Sequence, residues 1–176
     1  LSQKSDITDP KHPLTKIENG SLEDDIDRFA YEKEATLKDV HFALKKGQTL
    51  GIVGQTGSGK TSLLKLLLRE YDVNQGTIKL NGHDIRQYRL ADLRSLIGYV
   101  PQDQVLFAMS ILDNIRFGDP NLTFTAVEGA TKLSQVYDDI VAMPQGFDTI
   151  IGEKGVSLSG GQKQRIAMSR AMILNP

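Results

Sequence analysis

The sequence has no cysteine. That excludes a disulfide framework and any thiolate zinc site, and it agrees with a cytosolic location. Charge of one sign is equally lacking. Among 176 residues the formal net charge is −1, which gives no electrostatic reason to expect a nucleic-acid partner. No apolar run approaches the ~20 residues that a membrane span needs. The opening Leu1-Ser2-Gln3-Lys4-Ser5-Asp6 lacks the apolar core of a signal peptide. There is no internal repeat and no low-complexity segment. The rest of the composition, 39% hydrophobic and 24% charged, is that of an ordinary globular domain long enough to bury a core.

Against this plain background one stretch stands out: Gly54-Gln55-Thr56-Gly57-Ser58-Gly59-Lys60-Thr61. It follows an apolar run, Leu50-Gly51-Ile52-Val53, and leads into Ser62-Leu63-Leu64-Lys65-Leu66-Leu67-Leu68. The pattern predicts a buried strand, a glycine-rich turn and a helix. Glycines let the backbone approach a ligand closely, and successive N–H groups at a helix N-terminus favour an anion. In the G-x-x-x-x-G-K-T pattern Lys60 reaches the terminal phosphates of a nucleoside triphosphate, and the Thr61 hydroxyl ligates Mg²⁺.

Taken in order, residues 1–25 are polar, with Pro10, Pro13 and the acidic cluster Glu23-Asp24-Asp25, and read as a linker. From Ile26 to Leu44 the pattern turns β-like, Val40, Phe42 and Leu44 alternating with His41 and Ala43. Tyr31 lies in this region. Spacing alone favours a core or surface strand tyrosine, with stacking on a nucleotide base as the alternative. Beyond the P-loop helix a strand is predicted over Gly76 to Leu80, closed by the Asn81-Gly82 turn. A short helix from Leu90 to Leu96 and a strand Ile97-Gly98-Tyr99-Val100 follow, the latter ending at Pro101-Gln102. Gln102 thus stands at a strand's C-terminal end, the edge where ligands collect in α/β sheets. Residues 106–147 look mostly helical. Capping-box spacing starts helices just after Ser110 and Thr125.

The second informative stretch is Leu158-Ser159-Gly160-Gly161-Gln162, ahead of a helix running to Leu174. Ser159 and Gln162 have capping-box spacing, while Gly160 and Gly161 leave first-turn N–H groups uncovered. Alone, this is either a helix cap or a second anion site.

A P-loop, a glutamine after a strand, a helical insert and then Leu-Ser-Gly-Gly-Gln resemble the nucleotide-binding domain of an ATP-binding cassette (ABC) transporter. The resemblance covers residues 26–176 and implies an α/β fold. Its parts are a P-loop NTPase core, an N-terminal antiparallel β subdomain and an inserted helical subdomain at about 106–174. Residues 54–61 would be its Walker A motif, with Ser62 adjoining, Gln102 its Q-loop glutamine and a second Mg²⁺ ligand, and 158–162 its signature motif. Tyr31 would be the aromatic that stacks on adenine. Ser159, Gly160, Gly161 and Gln162 would meet the γ-phosphate of ATP held by a second such domain.

Thr149-Ile150-Ile151-Gly152-Glu153-Lys154-Gly155 is similar to the X-loop of the exporter branch, where Glu153 would touch a transmembrane domain. The resemblance therefore implies an ATPase on the cytoplasmic face of the cell membrane, working as a homo- or heterodimer and driving export. The transmembrane domain would be fused upstream of the linker at 1–25. The family's Walker B carboxylates and switch histidine would follow Pro176, and none of His12, His41 or His83 is placed to substitute for that histidine. By itself the chain is then expected to turn over little or no ATP. Two other readings remain: a soluble ABC-type ATPase not coupled to transport, and an ATP-binding half of an asymmetric exporter that hydrolyses slowly.

Overall fold

The computed structural model describes residues 7–14, 20–32, 36–103, 105–117, 119–152 and 155–176. They form two compact units, Leu1–Ile97 and Gly98–Pro176, each with its own apolar core.

The first unit is built on an antiparallel sheet of order β2-β1-β3-β4. Its strands are β1 (Leu22–Phe29), β2 (Leu37–Leu44), β3 (Gln75–Leu80) and β4 (His83–Asp84). Side chains alternate across a strand, so Ile26 faces the core while Asp25 and Asp27 face solvent. An irregularity in the β1–β3 register between Ile26 and Arg28 then turns Phe29 inward, 2% exposed. β1 begins within the stretch read as linker. The apolar alternation there is hidden because Asp24 holds an inward position between Leu22 and Ile26. Asn81 and Gly82, with φ of 54° and 77°, make the predicted tight turn between β3 and β4.

Helix α1 (Lys60–Leu67) packs Leu63 and Leu66 into this core beside Ile26, Phe29 and Ile78. Full burial of a leucine contributes about 2 kcal/mol, so two of them fix the rotation of α1 about its axis. Helix α2 (Leu90–Ser95) is capped from a distance. Its own N-cap residue, Arg89, supplies no side-chain bond, and Asp9 accepts the Leu90 N–H at 2.7 Å. Leu14 N–H donates to the Gln87 carbonyl at 3.0 Å and Leu14 packs on the core. Part of the polar lead-in is therefore docked on this unit.

Two expected strands are not formed. Residues 50–53 and 97–100 have no hydrogen-bonded neighbour strand among the described residues, and the first run is open to solvent, Val53 being 95% exposed. Such apolar runs suit strands buried on both faces of a parallel sheet, and no parallel sheet pairs with them among the described residues.

The second unit is helical. It contains α3 (Ile111–Ile115), α4 (Phe124–Leu133), α5 (Tyr137–Val141) and α6 (Gly160–Met172). Ser110 caps α3 as predicted, accepting from Asp113 N–H. Helix α4 starts earlier than the Thr125 capping pattern indicates. Thr123 caps it, accepting from Ala126 N–H at 3.2 Å. Two contacts favour that start: Phe124 meets the Phe147 ring edge-on at 5.1 Å, and Glu128, the other half of the expected box, pairs with Lys132 instead. Ile111, Ile115, Val127, Ile140, Ile151 and Ile166 gather in the core, each at most 1% exposed.

Candidate functional site

The glycine-rich loop at 54–59 closes on itself through Ser58 N–H to the Gln55 carbonyl, 3.1 Å. Lys60 then folds back over the loop. Its ammonium donates to Gly54 O at 2.6 Å, Gln55 O at 2.8 Å and Ser58 Oγ at 3.2 Å, matching its three protons to three neutral oxygens. The cation thus lies within the loop's curve, with no carboxylate paired to it among the described residues. Gly59, the N-cap of α1, has φ 93°, a conformation that favours glycine, and a Cβ there would lie 2.6 Å from Leu37 Cδ2. A Cβ on Gly54 would lie 2.5 Å from Ser58 Oγ and fill the same hollow.

No side chain caps α1. Its first-turn N–H groups and its dipole are left for another acceptor. The exposed Thr61 hydroxyl has no hydrogen-bond partner among the described residues. Helix end, glycine hollow and lone cation together fit a polyphosphate. A neutral, hard hydroxyl oxygen such as that of Thr61 fits one position on Mg²⁺.

Tyr31 joins this end of the unit. Its hydroxyl bonds Ser62 Oγ at 2.9 Å, and Ser62, in the first turn of α1, is buried. Its ring meets Phe29 edge-on at 4.9 Å and Tyr71 at 5.0 Å, and Tyr31 remains 45% exposed. The structure therefore brings Tyr31, Lys60, Thr61 and Ser62 together with Gly54, Gln55, Thr56, Gly57 and Ser58 in one unit. Tyr71, which steadies the Tyr31 ring, gave no signal in the sequence because aromatic contacts of this kind follow no fixed spacing.

The second unit carries the other half of the expected site. Ser159 and Gln162 form a complete capping box at the start of α6: Gln162 N–H donates to Ser159 Oγ at 3.1 Å, and Ser159 N–H donates to Gln162 Oε1 at 3.0 Å. The Gln162 amide is held at its other end by Asp139 of α5, at 3.5 Å, which also pairs with Arg165 at 2.7 Å. Gln162 is thus occupied in shaping the helix end. What this end offers outward is the Ser159 hydroxyl proton and the N–H groups of Gly160 and Gly161, all exposed. A Cβ on Gly160 would meet nothing within 4 Å. Nothing in the packing of the described residues requires glycine there. Asp139 could not be found from sequence, since only the tertiary fold brings α5 to this end.

Gln102 lies in a bend after Pro101 in the second unit. Glu153 lies outside the described residues.

An uncapped helix end beneath a lysine-closed glycine loop defines a protein of the P-loop nucleotide-binding class. The ABC transporter family model matches residues 37–176, and the chain belongs to that family. It is 44% identical over its whole length to a probable multidrug resistance ABC transporter ATP-binding/permease protein of Bacillus subtilis, covering 30% of that protein. It is 42% identical to human ATP-binding cassette sub-family B member 6, again over its whole length and over 21% of that protein. Among solved structures, a bacterial Atm1-family ABC exporter with ATP bound superimposes with a TM-score of 0.87 at 37% identity, over 97% of this chain and 30% of that one. The chain thus spans less than a third of the length of these relatives. The mixed α/β fold, with its antiparallel sheet and its helical part, is that of an ABC ATPase.

Proposed function

We propose that the chain is the nucleotide-binding domain of an ABC exporter, spanning about 26–176. In this reading it binds ATP and Mg²⁺, works as a dimer of such domains on the cytoplasmic face of a membrane, and drives export through a transmembrane domain. The observation that carries the reading is the division of labour between two helix ends. The N-terminus of α1 is open and cationic. That of α6 is prebuilt, with its glycines facing solvent.

In the proposed composite site, Gly54, Gln55, Thr56, Gly57, Ser58 and Gly59 cradle the phosphates, and Lys60 moves from neutral carbonyls to phosphate oxygens. The ammonium's bonds to carbonyls carry charge on the donor alone, whereas those to phosphate oxygens carry it on both partners, which favours that exchange. Thr61 and Gln102 hold Mg²⁺, a hard cation that neutralises charge between the β- and γ-phosphates. Ser62 stays with Tyr31, whose exposed ring face stacks on adenine. Ser159, Gly160 and Gly161 donate to the γ-phosphate of ATP bound by the partner domain, and Gln162 holds them in place. Lys60 and Gln102 act on the charge developing at the transferred phosphoryl group and on the attacking water. Glu153 is the contact proposed toward the transmembrane domain.

The test uses the full-length protein in vesicles. Lys60→Ala should abolish ATP-dependent phosphate release and weaken labelled-ATP binding. Ser159→Arg should leave binding to its own P-loop intact while stopping turnover. Equal loss of ATP binding in both variants would refute the assignment of Ser159 to a partner's nucleotide. Turnover that survives Lys60→Ala would refute the proposed ATPase site itself.

A further inference from the structure

Arg170 lies on α6 eleven residues after Ser159. At 1.5 Å rise per residue, that places it about 16 Å along the same rigid helix. Its guanidinium is directed at a single neighbouring stretch. Nε donates to the Asn114 carbonyl at 2.8 Å, one terminal nitrogen to the Val105 carbonyl at 2.9 Å, and the other to Asn114 Oδ1 at 3.1 Å. The Phe107 and Phe117 rings, stacked 4.4 Å apart, lie 5.7 and 5.5 Å from the guanidinium carbon.

Asn114, fully buried, extends the clamp. Its Oδ1 accepts Phe107 N–H at 2.8 Å, and its Nδ2 donates to the carbonyls of Phe107, Met109 and Ser110. No carboxylate pairs with Arg170 among the described residues. Burial lowers its pKa from the ordinary arginine value. An arginine without a counter-ion that spends its fork on backbone carbonyls is a costly way to fill space. What it secures is the path of residues 105–107, which begin three positions after Gln102.

We propose that Arg170 is a positioning residue that ties the signature helix to the segment carrying Gln102, so that engagement of Ser159 and Gly160 sets the placement of the Gln102 side chain. This rests on the composite-site reading above. When a partner's nucleotide docks on the N-terminus of α6, the helix moves as a body. The three donors of Arg170 then carry that movement to Val105 and, through Asn114, to Phe107. Lysine cannot reproduce the link, because one ammonium cannot span the two carbonyls and the amide oxygen that the planar fork reaches together.

The experiment is a double-mutant cycle in the full-length protein, read as phosphate release at steady state for kcat and KM, with single-turnover release added for variants too slow to cycle. Misplacing a reacting group by about 1 Å costs up to about a hundredfold in rate. Arg170→Lys should therefore lower kcat about ten- to a hundredfold with little change in the KM for ATP. Combined with Gln102→Ala, it should add no further loss, because Arg170 acts through Gln102. Losses that multiply, an unchanged kcat in Arg170→Lys, or a raised KM at constant kcat would each overturn the proposal. If Arg170→Lys lowers the folded yield, Arg170→Gln is read in the same cycle against its thermal unfolding curve. Lys60→Ala is the reference that separates the two claims. Wild-type release that survives it refutes the ATPase reading, whereas release that depends on Lys60 together with multiplying losses refutes only the role of Arg170.

Discussion

Asp24 is a carboxylate where the strand pattern calls for an apolar side chain, and its replacement by asparagine should stabilise the protein at neutral and alkaline pH but much less in acid. It lies on the inward face of β1, opposite Phe42 of β2 and Ile78 of β3, 3% exposed. Neither carboxylate oxygen has a hydrogen-bond partner among the described residues. Desolvation dominates its titration and raises the pKa from 3.8 to about 7, the nearby His41 pulling it down and Asp25 pushing it up. The folded state therefore holds the proton more tightly than the unfolded state. The stability this contributes is complete below the unfolded value of 3.8 and is lost progressively as pH rises toward about 7.

One pKa unit corresponds to about 1.4 kcal/mol, so the two units between pH 5 and pH 7 are worth about 3 kcal/mol at most. Asparagine has nearly the same shape and does not titrate. Urea unfolding of wild-type and Asp24→Asn at pH 5, 6, 7 and 8 gives a stability difference in which the other titrating groups largely cancel. That difference should grow in favour of asparagine up to about pH 7 and then level off. A difference that stays flat across the range, or one that grows toward acid, would refute the argument that Asp24 is buried without a partner.

Three further outcomes follow from other contacts. Ser134 Oγ and Ser169 Oγ lie 2.7 Å apart, and each also faces a helix carbonyl, Thr131 O at 3.2 Å and Arg165 O at 3.0 Å. Two protons cannot serve three contacts, so Ser169→Ala should cost no more than about 1 kcal/mol in urea unfolding, and a loss well above that would show that the pair is fully satisfied. Gly160→Ala should leave the chain's thermal unfolding unchanged or slightly raised, since a Cβ meets nothing there, yet, on the proposed function, lower ATP turnover of the full-length protein at least tenfold. Retained turnover would mean that no nucleotide approaches Gly160. Tyr31→Phe keeps the ring and loses only the bond to Ser62, so titration with a fluorescent ATP analogue should find its affinity within about threefold of wild type. Tyr31→Ala, losing a base-stacking face worth about 1–3 kcal/mol, should bind at least about fivefold more weakly.

What the sequence made legible was local. The serine cap at Ser110, the capping box at Ser159, the Asn81-Gly82 turn and the P-loop pattern each depend on residues within a few positions of one another, and each appears where its spacing places it. The failures involve neighbours distant in sequence. Thr125 had the better capping pattern, but Phe124 packing on Phe147 drew the start of α4 to Thr123. The apolar runs at 50–53 and 97–100 read as strands, but a strand exists only through the strand beside it. Asp24 hid the true beginning of β1 because one buried carboxylate breaks an otherwise regular alternation. Asp139 and Arg170 gave no signal at all, since their contacts span 23 to 65 residues.

The two helix ends also differ in how much each must rearrange to receive a phosphate. At α6 the donors are already fixed: the capping box uses the N–H groups of Ser159 and Gln162, Asp139 holds the Gln162 amide, and the N–H groups of the exposed Gly160 and Gly161 have no competing partner among the described residues. That surface can engage a ligand as a rigid body. At α1 the backbone cradle is open, but the Lys60 ammonium is bound to Gly54, Gln55 and Ser58 and has to release three neutral oxygens before it can bind a phosphate. The exchange is favourable, because each new bond is charge-assisted in both partners. In the proposed composite site it would make the P-loop the half that responds to nucleotide and the α6 end the half that reads the result. A methyl group on Gly160 and a change at Lys60 should therefore fail in different ways, the first after ATP is bound and the second before.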